Sequence, residues 1–197
     1  MLGVKISRSG SLITQDQKHF TKSLLNLYSL SQCKTVSTPF LPNVHFSPAT
    51  KEEITNFNIL GISYCSSIGS IYYLSTATRP DLAHGVSSLL QVLDNPGVQD
   101  WNGSLIVLRY LRGMQNIGLV YLKREVQGIE AYSDADWENC QLARCSVTGY
   151  LVTFDGSLVL WKAQKKLTVS LSTVEEEYKE LCDLTLELVW LGQWCRE

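Results

Sequence analysis

The chain has 197 residues, of which 45% are hydrophobic, and it contains only five prolines. This composition excludes an intrinsically disordered chain and is typical of a folded protein with one large domain or two small ones. The formal net charge of −2 shows no overall basic excess of the kind that free-standing nucleic-acid-binding proteins carry.

Neither a membrane segment nor a zinc site is predicted. No apolar run approaches the length that spans a bilayer, and the first ten residues lack a charged leader followed by a long apolar segment. The six cysteines form no C-x-x-C pair and lie far in sequence from the three histidines. We therefore expect an intracellular protein with reduced thiols, in the cytoplasm or the nucleus, and no membrane partner.

The first part of the chain, to about residue 123, predicts a mainly helical segment with a small β-hairpin at its front. Apolar stretches at 2–6 and 11–14 flank the turn SRSG. The loop VSTPFLPNVHFSP contains three prolines, which remove backbone donors and disfavour helix. The helical periodicity predicts helices over residues 16–28, 63–76 and 98–112, and a further helix that begins near Pro80.

Strand patterns replace helical ones near Leu122. GIEAYSD predicts a strand, TGYLVTF and SLVLWK predict a hairpin around the Asp-Gly pair at 155–156, and LTVSLS predicts a third strand or its end. A long helix follows, and Ser172 or Thr173 forms a capping box with the glutamate three residues later. Residues 124–197 therefore predict an α/β arrangement in which one helix packs on a sheet.

Two carboxylates, Asp134 and Asp136, come directly after the apolar stretch at 129–133. One interpretation is a turn, because Asp side chains commonly stop strands by bonding the local backbone. The other is a metal site, because hard divalent cations bind carboxylates that a rigid element presents. A metal site needs partners elsewhere in the chain, whereas a turn needs none.

The last helix offers such a partner among the three consecutive glutamates at 175–177. Helical spacing puts Glu177 on the apolar face, together with four leucines, whereas Glu175 points nearly opposite and Glu176 lies to one side. The four leucines are Leu181, Leu184, Leu188 and Leu191. Either Glu177 is partly desolvated and shares a cation with Asp134, or it reaches solvent at the open end of the helix.

A local basic cluster lies shortly before this helix, at Lys162, Lys165 and Lys166. Three lysines at this spacing suit contacts with the phosphates of a nucleic acid. A short solvated turn explains the same cluster equally well, so both interpretations stay open.

The chain resembles, in order along its length, the C-terminal part of the Ty1/copia-type retrotransposon Pol polyprotein. LGVKI, LITQDQKHF and CKTVSTP resemble the end of the reverse transcriptase palm and the entry to its thumb. YCSSIGSIYYLSTATRPDLAHGVSSL and LRYLRG resemble the connecting region, and YSDADW, SVTGYLVTFDGSLVLWKAQKK and LSTVEEEY resemble the start of the RNase H domain. The resemblance implies three parts: a palm and thumb-like segment with its linker (1–48), a helical connecting region (49–123) and a truncated RNase H-like domain with a mixed sheet (124–197).

The resemblance also implies a chemistry, the cleavage of RNA in RNA–DNA hybrids with two Mg²⁺ ions. The first catalytic acid of the family falls on Asp134 and the catalytic glutamate on Glu177, both as metal ligands, and the three lysines would contact nucleic acid. Asp136 is not a core ligand in that scheme. The paired aspartates of the polymerase and the further RNase H ligands have no counterpart in this sequence, so we expect little or no cleavage by this chain alone.

Two functions therefore stay open. The first is a fragment of a reverse transcriptase and RNase H polyprotein, and the second is a retained module that binds nucleic acid or protein without cleaving. The truncated sheet is expected to leave an exposed edge, and Trp190 and Trp194 are expected to be half-covered. We therefore expect self-association, or association with the remainder of the polyprotein.

Overall fold

The computed structural model describes residues 3–40, 46–122, 128–136, 147–165 and 173–195. It divides into two compact units, Met1–Tyr121 (unit 1) and Leu122–Glu197 (unit 2). Its elements in chain order are β1 (Lys5–Ser9), β2 (Leu12–Asp16), α1 (Lys18–Leu27), α2 (Lys51–Ile59), α3 (Tyr64–Ala77), a 3-10 turn (Pro80–Leu82), α4 (Ala83–Leu90), α5 (Val98–Gly113), β3 (Leu119–Leu122), β4 (Ile129–Asp136), β5 (Val147–Phe154), β6 (Ser157–Lys165) and α6 (Thr173–Trp194). The predicted α/β class is confirmed.

Most of the predicted elements of unit 1 are present, but helix α2 was not predicted. Its start has a complete capping box, in which the Thr50 N–H donates to Glu53 Oε2 over 2.8 Å. Thr50 Oγ1 in turn accepts a bond from the Glu53 N–H. The hairpin of β1 and β2 pairs antiparallel, and β3 joins β2 to complete a three-stranded sheet.

The core of unit 1 is a cluster of aliphatic and aromatic side chains from α1 to α5. Several of these side chains are completely buried: Ile68, Ile71, Leu74, Leu89, Leu108 and Leu111. Each such side chain stabilises the fold by about 1.5–3 kcal/mol relative to an exposed position. The helices therefore form a packed body of their own.

A buried arginine ties the end of α3 to the end of α5 in unit 1. Arg79 is only 2% exposed, and its guanidinium binds the Asp81 carboxylate through Nε and Nη2 at 2.9 and 2.7 Å. Nη1 donates to the carbonyl of Met114 over 3.0 Å. The Tyr110 hydroxyl donates to the same carboxylate over 2.9 Å, and its ring lies 5.5 Å from the guanidinium. This network satisfies a charge that would otherwise be costly to bury.

Unit 2 contains an antiparallel sheet in the order β4, β5, β6, with α6 packed on one face. The predicted hairpin is confirmed, because Asp155 and Gly156 both have positive φ values, 49° and 72°, as a type I′ turn requires. Leu184 and Leu191 of α6 pack against Tyr150 and Val152 of β5. The predicted strand LTVSLS lies outside the described residues.

The described helices include none that is long and apolar enough to cross a membrane. The two tryptophans of α6 are about half-covered, as expected. Trp190 is 55% exposed and Trp194 is 65% exposed.

Candidate metal and nucleic-acid site

Strand β4 places Asp134 on the sheet face that α6 does not cover. In the register of β4 and β5, Ser133 lies opposite Tyr150 and Asp134 lies opposite Gly149. Cross-strand partners share a face, and successive residues of a strand alternate between faces. Tyr150 packs against α6, so Ser133 faces the helix and Asp134 faces the other way. The Asp134 side chain is exposed there.

Glu177 lies near the start of α6, seven residues before the buried Leu184. Seven residues are close to two helical turns, so both side chains leave the helix in nearly the same direction. Glu177 is nevertheless exposed, which favours the interpretation that it reaches solvent. Because the Glu177 carboxylate is exposed to solvent, it needs no cation to compensate for desolvation.

These two positions limit how one cation could contact both acids. Asp134 points from the face opposite to α6, so a cation shared with Glu177 cannot lie within the packed interface of sheet and helix. It would have to lie beyond the edge of that interface. Among the described residues, no group of three or more His, Cys, Asp or Glu side chains is arranged to hold a metal ion. The Asp134 and Glu177 pair stays a prediction.

The predicted basic cluster is only partly described. Lys162 lies opposite Tyr150 in the register of β5 and β6, and its side chain is exposed. Lys165 ends β6, but its side chain and the whole of Lys166 lie outside the described residues. The same holds for the side chain of Asp136, which ends β4. The nucleic-acid contacts of these lysines stay predictions.

The inner face of α6 contains carboxylates that the sequence reasoning missed. Glu180 is only 3% exposed, and Glu187 accepts a hydrogen bond of 3.1 Å from the Tyr150 hydroxyl. Burial raises the pKa of Tyr150, and the negative charges of Glu187, Glu180 and Asp183 raise it further. The phenol therefore stays protonated and acts as a donor between sheet and helix.

The missed carboxylates had a visible signal in the helical spacing. The spacing of the leucines predicts Leu181 on the packed face, but Leu181 is 54% exposed, and Glu180 takes the buried position beside it. A rotation of the packed face by one residue brings Glu180, Leu184, Glu187 and Leu191 together. The positions of the leucines alone do not indicate this face, because two of its four residues are glutamates.

Comparison with known proteins finds sequence similarity along the whole chain. The retrovirus-related Pol polyprotein from transposon TNT 1-94 of Nicotiana tabacum is 33% identical over the whole of this chain, which covers 15% of that protein. The secreted RxLR effector protein 161 of Plasmopara viticola is 41% identical over 66% of this chain and 92% of its own length. An uncharacterized mitochondrial protein of Arabidopsis thaliana is 32% identical over 96% of this chain and 76% of its own length.

No family model matches the chain. No solved structure matches it either. The similarity to transposon polyproteins nevertheless extends through both units, because the alignment to the tobacco protein covers every part of the chain. The chain is therefore similar to a segment of the retrovirus-related Pol polyproteins from plant transposons, and it spans between 13% and 15% of their length.

Proposed function

We propose that this chain is the part of a Ty1/copia-type Pol polyprotein that links the end of reverse transcriptase to RNase H. Unit 1 would correspond to the thumb and connecting region, and unit 2 to part of an RNase H-like domain that binds RNA–DNA hybrids. The observation that carries the proposal is the similarity to the tobacco polyprotein along the entire chain. The strand that ends near Asp134 and the helix that begins near Glu177 agree with the order that this resemblance implies.

The described side chains do not fit two Mg²⁺ ions by themselves. Mg²⁺ prefers oxygen ligands in near-octahedral geometry, and a two-metal site needs a set of such ligands within a few ångströms. Asp134 and Glu177 are two exposed carboxylates on different elements. We therefore derive no cleavage step for these residues, and we propose that hybrid binding, rather than cleavage, is what this chain does in isolation.

The test is an assay of binding and cleavage with a fluorescently labelled RNA–DNA hybrid and the full chain. We expect binding that weakens as salt increases, because phosphate contacts release counterions. Lys162→Ala should weaken this binding, whereas Lys51→Ala, a change of an exposed lysine in unit 1, should not. Absence of hybrid binding at low salt would contradict the proposal.

Cleavage is the second readout of the same assay. With Mg²⁺ or Mn²⁺ present, we expect the chain alone to leave the hybrid intact, since the metal-binding group is incomplete. Metal-dependent cleavage that Asp134→Asn abolishes and Glu52→Gln leaves unchanged would overturn the inactivity but support the assignment of Asp134. Glu52 is a suitable control because it is an exposed carboxylate in α2 of unit 1.

The exposed apolar surface of α6 favours a second candidate function, a module that binds protein without cleaving nucleic acid. Tyr178, Leu186 and Trp194 are between 65% and 71% exposed on this helix. Exposed apolar groups concentrated on one element are typical of protein-interaction surfaces. Sedimentation of the full chain at increasing concentration tests self-association. A monomer at all concentrations that also fails to bind the hybrid would contradict both the first and the second candidate.

A further inference from the structure

Four glycines of the α4 and α5 region leave room for another segment of unit 1. An added Cβ at these positions would lie 3.4 Å or less from an atom of residues 35–40 or 46–49. The four close approaches are Gly113 to Thr35 Cβ at 3.3 Å, Gly85 to Phe40 Cδ2 at 2.8 Å, Gly103 to Phe46 Cζ at 2.6 Å and Gly97 to Ala49 Cβ at 3.1 Å. None of these glycines has a positive φ, so space rather than backbone conformation requires glycine there.

The four contacts follow the order of the chain. We call residues 35–40 and 46–49 the strap, and the four glycines the glycine groove. The strap begins beside Gly113 at the end of α5, passes Gly103 near its middle and reaches Gly97 at its N-cap. It therefore lies antiparallel to α5 and crosses α4 at Gly85.

Two phenylalanines anchor the strap in the groove. The rings of Phe40 and Phe46 meet edge to face with centroids 5.5 Å apart, and Phe40 also meets the His84 ring at 6.3 Å. Such edge-to-face pairs contribute beyond the area that they bury. Both phenylalanines pack on the outside of the unit 1 core and are only partly buried. The strap is thus a layer over a core that the helices already form.

Hydrogen bonds hold the chain at the end of the strap and shortly before its start. The Ala49 N–H donates to the carbonyl of Asn95 over 3.0 Å, and Arg112 Nε donates to the carbonyl of Ser31 over 2.6 Å. Pro39 and Pro48 lie within or beside the anchored pieces. Proline restricts its own φ and keeps the preceding residue extended, so the segment loses little conformational entropy when it binds.

We infer that the glycine groove is a peptide-binding surface that the chain's own strap occupies. Its ligand is a proline-containing segment with two aromatic anchors six residues apart, as at Phe40 and Phe46. The glycines admit the two rings, and the fully buried leucines beneath, such as Leu89, form the floor. This recognition in unit 1 is independent of the proposed hybrid binding in unit 2.

The direct test asks whether an emptied groove accepts the same segment as a separate peptide. The Phe40→Ala, Phe46→Ala double variant of the full chain removes both anchors. A fluorescein-labelled peptide of residues 34–50 is then titrated and its anisotropy is measured. We expect the double variant to bind the peptide at least tenfold more tightly than the unchanged chain does. A peptide in which both phenylalanines are replaced by alanine should not bind.

A glycine substitution shows whether the peptide occupies the groove. Gly103→Ala, added to the double variant, places a methyl group where the Phe46 ring lies and should abolish peptide binding. Gly69→Ala is the matched control, because Gly69 is also helical but has no atom within 4 Å of its added Cβ. Equal binding by the double variant and the unchanged chain, or binding that survives Gly103→Ala, would overturn the inference.

The inference also predicts that the strap leaves the groove without unfolding the helices. As a single substitution in the full chain, Gly103→Ala should accelerate chymotrypsin cleavage after Phe46 at least tenfold relative to Gly69→Ala. The helical circular dichroism signal should be retained in both variants. A cleavage rate equal to that of Gly69→Ala would contradict the role of the groove. Loss of the helical signal in the phenylalanine double variant would show that the strap belongs to an inseparable core, and would also overturn the inference.

Discussion

The Tyr150 hydroxyl donates a hydrogen bond of 3.1 Å to Oε1 of Glu187, and this bond joins β5 to α6. Tyr150 is 9% exposed and packs on Leu184 and Leu191, so the bond lies at the contact between sheet and helix. The negative charges of Glu180 and Asp183 also act on the phenol. The packing of α6 in unit 2 therefore depends on a polar contact as well as on its leucines.

Tyr150→Phe should destabilise the chain by about 1–2 kcal/mol, because a partly buried carboxylate loses its neutral donor. The free energy of unfolding, measured in urea by tryptophan fluorescence, checks this value. Tyr132→Phe is the matched control, since Tyr132 is 56% exposed and has only a weak contact of 3.5 Å with Glu130. Equal effects of the two substitutions would contradict the structural role of the Tyr150 bond.

The raised pKa of Tyr150 predicts a loss of stability in alkaline solution. Burial raises this pKa first, and the charges of Glu187, Glu180 and Asp183 add to the shift. A folded-state pKa above the unfolded value of about 10 means that the stability is fully present below about pH 10 and is lost as the pH rises. The urea midpoint should therefore fall above about pH 10, and less steeply in Tyr150→Phe. The same steepness in both proteins would refute this assignment.

Asp81→Ala should cost about 3–5 kcal/mol, because it leaves the buried guanidinium of Arg79 without its carboxylate. Arg79 is 2% exposed, whereas the Asp81 side chain is 29% exposed, so the lower end of this range is expected. Thermal unfolding of the full chain measures the loss. Asp94→Ala, at an exposed aspartate of unit 1, should change the stability by less than about 0.5 kcal/mol. A loss for Asp81→Ala no larger than that of this control would be inconsistent with the network.

Asp100→Asn should leave the stability at neutral pH unchanged or raise it by up to about 1 kcal/mol. Burial raises the Asp100 pKa more than the Gly97 N–H, which donates to it over 2.7 Å, lowers it. A raised folded pKa means that stability is fully present below the unfolded pKa and is lost as the pH rises through the folded one. The asparagine oxygen keeps the bond to Gly97 without the buried charge.

Asp100→Ala removes both the hydrogen bond and the charge. Its comparison with Asp100→Asn, which removes only the charge, isolates the contribution of the bond. It should cost about 1 kcal/mol, the usual value for a lost helix cap. Urea unfolding of the two variants at neutral pH gives the comparison. Destabilisation by Asp100→Asn as large as that by Asp100→Ala would contradict the dominance of burial over the hydrogen bond.

Periodic and turn patterns in the sequence predicted most elements, because they depend on local physical chemistry. The Asp155-Gly156 hairpin and the helix at 98–112 follow from such rules and are confirmed. The capping box of Thr50 and Glu53 was equally local, and helix α2 could have been predicted from it. The packed face of α6 contains Glu180 and not the predicted Leu181. Which of the two is buried depends on the exact rotation of α6 against the sheet, and local spacing does not determine that rotation.

The glycine groove could not be predicted from the sequence for a different physical reason. Gly85 and Gly103 lie inside helices, where glycine is locally unfavourable. Only the approach of Phe40 and Phe46 from a distant part of the chain explains why a side chain is excluded. The face on which Asp134 lies likewise follows from its cross-strand pairing with Gly149 rather than from its own neighbours.

Hybrid binding without cleavage by the isolated chain is decided by one titration of a fluorescently labelled RNA–DNA hybrid with the full chain in the presence of Mg²⁺. We expect the anisotropy of the hybrid to rise with protein concentration, this binding to weaken with salt and with Lys162→Ala, and the RNA strand to stay intact. No rise in anisotropy at low salt, or cleavage of the RNA strand that Asp134→Asn abolishes, would contradict this function.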